Sequence, residues 1–493
     1  MYYSPSKNSK QLALELKAFH LPFGGRLRIN NRWIQLRDMI PWMEFEENYK
    51  SIFSKKFGRR AKPFQLALGA LIIQGRLQTS DRETVLQIQE NPYLQFFLGL
   101  PQYEEEPLFD PSMLVHFRKR IGVTELQAIN DAIILKELTG SSTPKEVVEN
   151  ELIPNKGDLK IDATCTPADI RFPTDLSLLN ETRENTERIT DILWAQVEHE
   201  KGVLKPRTYR KKARKDFLSF TKKKQGSKKS IKKSIKLQLA YIKRNLKTIE
   251  NLQNCFIPFS QPIDNKSFKS LLVANEVYRQ QLEMSQSGVR RIADRIVSFT
   301  QPHVRPIVRG KAGKNVEFGA KISVASIDGF IFLDRLEWDA FHEGEDLILH
   351  AEKFKALFGC WPKAIHADKA YTTRKNRAWC KEREIDLHGA KLGRPKKETA
   401  ENKEELKLEK KKAKKSESER VEIEGKFGVA KRRYGAGNIK AKLKTTSSAV
   451  IMLAILNVNL GKMLSNLSLY QLKTLIFSLK FTHRDDFQTK VAC

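Results

Sequence analysis

Residues 157–164 read Gly157-Asp158-Leu159-Lys160-Ile161-Asp162-Ala163-Thr164. Leu159, Ile161 and Ala163 alternate with Lys160, Asp162 and Thr164, a period of two that predicts a half-buried strand with an acid on its polar face. The chain changes character here, from helical patterning before Gly157 to β patterning after it. Two further β regions follow. In Lys321–Trp338, Ile322 and Val324 precede Asp328-Gly329, and Ile331 and Leu333 come after it, a strong hairpin signal. Ala364-Ile365-His366-Ala367-Asp368 is a short apolar strand that again ends on an aspartate. Strands among helices make the chain α/β.

The region before Gly157 is predicted helical. Phe64, Leu66, Ala67, Ala70, Leu71 and Ile73 recur at helical spacing, and Ser80 with Glu83 forms a capping box for the next helix, which Asn91-Pro92 ends. Asp110-Pro111 supplies an N-cap and first-turn proline for a helix that turns Leu114, Val115 and Phe117 inward. Its basic flank, Arg118, Lys119 and Arg120, suits DNA docking or a plain helical bundle with solvated charges, and both readings stay open here.

Between the first two β regions, residues 205–247 hold 18 Lys or Arg against one acid, Asp216, so a net +17 of the chain's +31 is concentrated in one tract. Ile235, Leu239, Ile242, Leu246 and Ile249 form an apolar stripe in steps of four and three. Phe268, Leu272, Tyr278 and Leu282 are expected to fold back on it, making residues 201–300 a basic helical insertion. Lys222, Lys223, Lys224, Lys228 and Lys229 are its candidate phosphate contacts. Lys396–Lys415 reads as a linker or an exposed helix.

At 493 residues the chain exceeds one small module, and a pI near 9.8 favours polyanionic partners, nucleic acid first. A hydrophobic fraction of 40% is too high for disorder throughout. Apolar runs such as Ala449–Leu456 fall short of the roughly 20 residues of a membrane span, and no secretory signal is expected at the N-terminus. Five scattered cysteines without a CxxC pair suit reduced thiols rather than a disulfide framework or zinc site. A cytoplasmic, nucleoid-associated location without membrane is therefore expected.

The chemistry lies further along. Arg420, Glu424 and Lys431 are four and then seven residues apart, which puts them on one helix face beside an apolar face of Ile423, Phe427, Ala430 and Tyr434. Asp162 on one strand, Asp368 at the end of another and Glu424 on a later helix are the ingredients of a carboxylate cluster at a sheet edge. Such hard oxygen ligands bind Mg²⁺, and a pair of ions clamps the attacking and leaving oxygens of a phosphodiester displacement.

In order and local pattern these residues resemble the DDE transposases of bacterial insertion sequences, in the branch marked Tyr-x2-Arg-x3-Glu-x6-Lys. Arg420, Glu424 and Lys431 match, whereas Glu417 stands at the tyrosine position. Glu90–Leu100, Lys160–Asp169, His366–Tyr371 and Lys426–Tyr434 also look like this branch, and the resemblance spans about Ser51 to Leu464. It implies a ribonuclease H-like mixed sheet flanked by helices, with a helical N-terminal domain that helps bind terminal inverted repeats. Asp162, Asp368 and Glu424 would be catalytic and hold two Mg²⁺ or Mn²⁺ ions. Arg420 and Lys431 would contact DNA, joined by Arg118, Arg120 and the lysine tract. The partners implied are element-end and target double-stranded DNA and a second copy in a homodimeric synaptic complex.

The expected domains are 1–150, helical and DNA-binding; 151–200 with 301–465, catalytic; 201–300, the basic insertion; and 466–493, a C-terminal tail. An inactive transposase-derived DNA-binding protein and a metal-dependent nuclease of the same fold are the rival functions.

Overall fold

The computed structural model describes residues 18–21, 25–54, 58, 60–141, 154–197, 205–222, 227–255, 263–289, 291–311, 314–389 and 403–488. Among the described residues seven helices come first: α1 (Arg32–Met39), α2 (Trp42–Ser51), α3 (Phe64–Leu77), α4 (Asp81–Glu90), α5 (Pro92–Phe97), α6 (Met113–Arg120) and α7 (Val123–Thr139). Local chemistry sets their ends. The Ser80 hydroxyl accepts from the Glu83 amide at 3.2 Å and starts α4. Asn91 closes α4 and caps α5 in turn, with Pro92 at its first position. The Asp110 carboxylate accepts from the Ser112 amide at 2.8 Å, just ahead of α6, whose Leu114 and Phe117 are fully buried.

Strand β1 (Asp158–Pro167) appears where the alternation begins. Beyond it come α8 (Asp175–Val197), α9 (Arg210–Thr221), α10 (Lys228–Gln253), α11 (Asn265–Ser287), β2 (Arg305–Lys311), β3 (Lys314–Ile327) and β4 (Phe330–Glu337). Asp328 and Gly329 make the β3–β4 turn, both at positive φ (48° and 74°), the backbone that a two-residue hairpin of this hand requires. The chain then forms a 3₁₀ turn at Glu343–Glu345, α12 (Asp346–Phe358), β5 (Ala364–His366), a second 3₁₀ turn at Lys369–Tyr371, α13 (Arg374–Glu382), β6 (Asp386–His388), α14 (Lys403–Arg433) and α15 (Lys444–Gln488).

The contacts divide the chain into two units. The first comprises Met1–Pro167, Lys321–Glu337 and Phe341–Cys493; the second is Ala168–Ala320 with Trp338–Ala340. In the first unit the strands run β4-β3-β1-β5-β6, with β3 and β4 antiparallel and β1, β5 and β6 parallel. Helices flank this mixed sheet, α12 against β1 and β4, α14 against β1 and β5, and α7 against β4. That is the ribonuclease H-like arrangement expected from the resemblance.

The division falls elsewhere than the expected boundaries at 150, 200 and 300. The N-terminal helices share a unit with the sheet because α15 packs on α3, α6, α7 and β4 together. Conversely α8 belongs to the second unit. Its Ile189, Leu193 and Val197 cluster with Ile249 and Leu252 of α10 and Leu271 of α11. The expected return face of α11 is partly corrected: Tyr278 and Leu282 pack inward, but Phe268 and Leu272 are 44% and 55% exposed. Leu271, Ala274 and Val277 take their place, since α8 as well as α10 must be met. In this unit β2 pairs antiparallel with the first half of β3, from Arg305 opposite Gly319 to Val308 opposite Val316. The run from Lys403 is helix, as one of the two readings had it, while Lys396 to Asn402 lies outside the described residues.

α15 revises the expectation about apolar length. Its Lys444–Tyr470 segment has the length and composition to cross a membrane, yet 78% of its apolar window is buried inside the fold. Asn459 sits fully buried in it, accepting from the Ile331 amide at 2.9 Å and donating to the Ile331 carbonyl at 2.7 Å and to Asn130 at 2.8 Å. These bonds key a helix with no polar face to one register against β4 and α7.

Candidate active site

The polar face of β1 meets α14 residue by residue. Lys160, Asp162 and Thr164 project from alternate positions, while Leu159 and Ile161 are fully buried on the other face. Lys160 Nζ bridges Glu422 and Glu419, 3.0 Å from the latter. At the other end of the contact, Lys431 Nζ donates to the Thr164 hydroxyl at 2.9 Å. On α14, Ile423, Phe427, Ala430 and Tyr434 are buried as the spacing predicts, so Arg420 and Glu424 stand off the packed side. Gly425 has open space where a Cβ would stand.

Asp368 caps the 3₁₀ turn that follows β5, accepting from the Lys369 amide at 2.6 Å, and its side chain is half exposed. Arg420 reaches across to it, Nη1 lying 3.5 Å from Asp368 Oδ1, while Nη2 is 3.8 Å from Glu424 Oε1. Asp162 lies within the same field. Burial pushes its carboxyl up to about 6; the Ala163 amide and Arg420 oppose the rise, and Glu343 and Asp368 add to it. Arg420 thus pairs with two of the three acids expected from the sequence and acts electrostatically on the third. Glu343, on the first 3₁₀ turn, is an acid that sequence reasoning missed, and Lys321 pairs with it at 3.0 Å.

Among the described residues no group of three His, Cys, Asp or Glu side chains is close enough to hold a metal ion. Arg420 is what links Asp368 to Glu424. Its Nε is buried without a hydrogen-bond partner, so the guanidinium is not fully satisfied where it stands. Carboxylates on three separate elements, around a displaceable side chain, fit a hard divalent cation in donor chemistry. His366 lies apart from this set, its ring stacked on His388 at 4.9 Å.

The candidate DNA contacts fare differently. Arg118 is committed internally: its two Nη groups meet Asp81 at 3.0 and 2.8 Å, and Nη1 meets Gln74 at 2.7 Å. That bidentate pair occupies part of its guanidinium fork. Arg120 lies over the Phe53 ring at 4.9 Å. Lys222, Lys228 and Lys229 are exposed, the last two in the first turn of α10, where no acid offsets them. Lys223 and Lys224 fall outside the described residues.

One constellation copies a hydrolase triad without its access. Ser323 Oγ is 2.8 Å from His350 Nε2, and His350 Nδ1 is bonded to Asp334. All three are buried, and Lys353, 2.9 Å from both Asp334 and Asp131, completes the network. A nucleophile that no substrate reaches is a structural group. Trp338 is buried against His303, and Trp361 packs on Trp379, so neither offers a stacking platform.

Comparison with known proteins finds similarity over parts of the chain. The model described as "Transposase DDE domain" matches residues 365–461, a span that holds Asp368, Arg420, Glu424 and Lys431 but not Asp162. "Transposase domain (DUF772)" matches residues 23–120, which covers α1 to α6. A Rhizobium meliloti protein described as "Uncharacterized protein ORF8 in nfe locus" is 32% identical over 146 residues, 29% of this chain and 66% of that protein, just under two thirds of its length. No solved structure matches.

Proposed function

We infer that the chain, two stretches of which are similar to transposase domains, is a DDE transposase of insertion-sequence type that cuts DNA at the ends of a mobile element and joins the freed 3′-hydroxyls to target DNA. The observation that carries this reading is Arg420, which pairs with Asp368 and Glu424 and acts electrostatically on Asp162. Asp162, Asp368 and Glu424 would hold two Mg²⁺ or Mn²⁺ ions, which when bound lower the pKa of an attacking water or hydroxyl and stabilise the leaving oxygen. The half-exposed Asp368 and the 61%-exposed Glu424 leave one side of the cluster open to a phosphodiester. Arg420, released from its acids, offers two donors to a phosphate oxygen. Lys160 holds α14 in register on β1, and that register sets where Glu424 stands relative to Asp162. The element's terminal inverted repeats and target duplex are the proposed partners, with two copies of the chain bridging two ends in the cytoplasm.

The test is an in vitro reaction with Mg²⁺ and the repeat DNA that flanks the gene. Wild type yields cut and joined products, and Asp162→Ala, Asp368→Ala and Glu424→Ala each abolish both while still binding end DNA. Cut but never joined DNA would mean a nuclease, and binding without either product a non-catalytic derivative. A variant that keeps appreciable metal-dependent activity removes its residue from the site.

A further inference from the structure

Where α14 ends, two arginines flank one aromatic ring. Arg433 lies 5.6 Å and Arg76 5.8 Å from the centroid of Tyr434, and that tyrosine is buried. The chain around the ring is closely packed. Gly435, at φ +79°, turns the chain so closely over α3 that a Cβ there would stand 2.3 Å from Gln78 Oε1, and one on Gly461 would stand 2.7 Å from Tyr434 Oη. Arg76 comes from the last turn of α3 and has one Nη 3.5 Å from the Asn457 carbonyl.

None of this neutralises the charge. Among the described residues no carboxylate pairs with Arg76 or Arg433, nor with Arg32 at the start of α1, which lies close enough to Arg76 to repel it. Burial pulls Arg76 below the usual arginine range; Tyr434 opposes this, and Arg433 and then Arg32 deepen it. A largely buried guanidinium with like charges for neighbours is costly unless an anion completes it. Arg32 and Arg433 are exposed, so the cluster opens to solvent on one side.

We propose that Arg32, Arg76 and Arg433 form a phosphate-binding site that takes a phosphodiester of duplex DNA. The inference rests on the DNA-acting function above and adds a site that neither the acids nor the lysine tract contains. Planar donor forks of this kind suit the tetrahedral oxygens of phosphate. The open side suits a continuous backbone, and the net charge of +31 brings duplex DNA to the surface. Arg433 is the last residue of the helix that carries Glu424, so a strand held here would lie at the C-terminal end of that helix.

The test uses the full chain, a labelled duplex read by fluorescence anisotropy from about 50 to 200 mM salt, and Arg76→Gln, Arg433→Gln and, as an exposed control elsewhere, Lys266→Gln. Loss of one phosphate contact lowers the slope of log affinity against log salt by about 0.9, a roughly threefold smaller loss of binding across that range. Both arginine variants should show this on element-end and random duplexes alike, and Arg76→Gln should melt no lower than wild type because it removes an uncompensated charge. Slopes equal to wild type for both variants, or a lower melting temperature for Arg76→Gln with an unchanged slope for Arg433→Gln, would overturn the proposal. Inorganic phosphate separates the two sources of the ligand: weak competition at millimolar levels supports the backbone, whereas tight stoichiometric binding makes the site one for a free anion and overturns the assignment to DNA. Failure of wild type to bind any duplex would sink the DNA-acting function itself, and this inference with it. Tight binding with unaltered slopes sinks only this inference.

Discussion

Asp162 is held at a cost to the fold. Its folded-state carboxyl lies above the ordinary value of 3.8, at about 6, chiefly because it is buried. A raised carboxyl contributes stability that is complete below pH 3.8 and is lost as pH climbs through about 6, leaving a penalty on the order of 3 kcal/mol at neutral pH. Asp162→Asn should therefore unfold at higher denaturant than wild type at about pH 8, with the gain shrinking toward about pH 4. Mg²⁺ or Mn²⁺ should raise the melting temperature of wild type far more than that of the variant. Equal denaturant midpoints at both pH values would show that the carboxyl is not strained by burial. Lys160 gives a second test at this scale. Its ammonium is mostly buried between two glutamates, so Lys160→Met should strand them and lower kcat for strand cleavage by ten-fold or more, about 1.4 kcal/mol, while Lys160→Arg restores most of it. An unaltered kcat in Lys160→Met would relieve the residue of any positioning role.

At the scale of elements, α14 separates packing from chemistry. Phe427 is 6% exposed, so Phe427→Ala should lower unfolding free energy by about 3 to 5 kcal/mol. Arg420→Ala should leave the melting temperature close to wild type and depress strand cleavage. A reversed pattern, measured by calorimetry and a cleavage assay, would refute the face assignment. In α10, replacing Lys228 and Lys229 together with Lys222 by Gln should flatten the salt dependence of DNA binding, equally for specific and random duplexes. A slope that does not move would take the tract off the DNA.

What the sequence made legible were features fixed locally. The β3–β4 turn needs two positive-φ residues, and Asp328-Gly329 announces them; α14 declares its buried face through residues three and four apart. What escaped depends on distant partners. β6 is three residues long and exists because β5 lies beside it. The buried side of α11 was misplaced by one position at Phe268 and Leu272 because α8, whose polar-looking sequence hides Ile189 and Leu193, is its second neighbour. Arg118 and Lys160 look alike in a sequence, and only Asp81 and the α14 glutamates, respectively, tell what each holds. At the site, the three acids were readable by order and type, whereas Glu343 and the arginines around Tyr434 carried no local signal.

For the first unit as a whole, α15 is the element that the others require. It packs on α3, α6, α7, β4 and α14, and Asn459 satisfies both polar groups of Ile331. Asn459→Leu should strand those groups and Asn130, at roughly 1 to 3 kcal/mol for each unsatisfied group, seen as a lower denaturant midpoint. A midpoint equal to wild type would mean that the network is dispensable.

The position of α15 also governs timing. Ribosomes add about 5 to 20 residues per second, so the helices and strands before Lys444 wait through most of synthesis with the apolar faces that α15 will cover still open. A nascent chain stopped short of that helix has no closed core to present in this unit. Ribosome-bound chains arrested with α15 still inside the exit tunnel, and with it carried clear of the tunnel by a C-terminal extension, would reveal this as a step in protease resistance at the later arrest point, rather than a gradual rise along the chain.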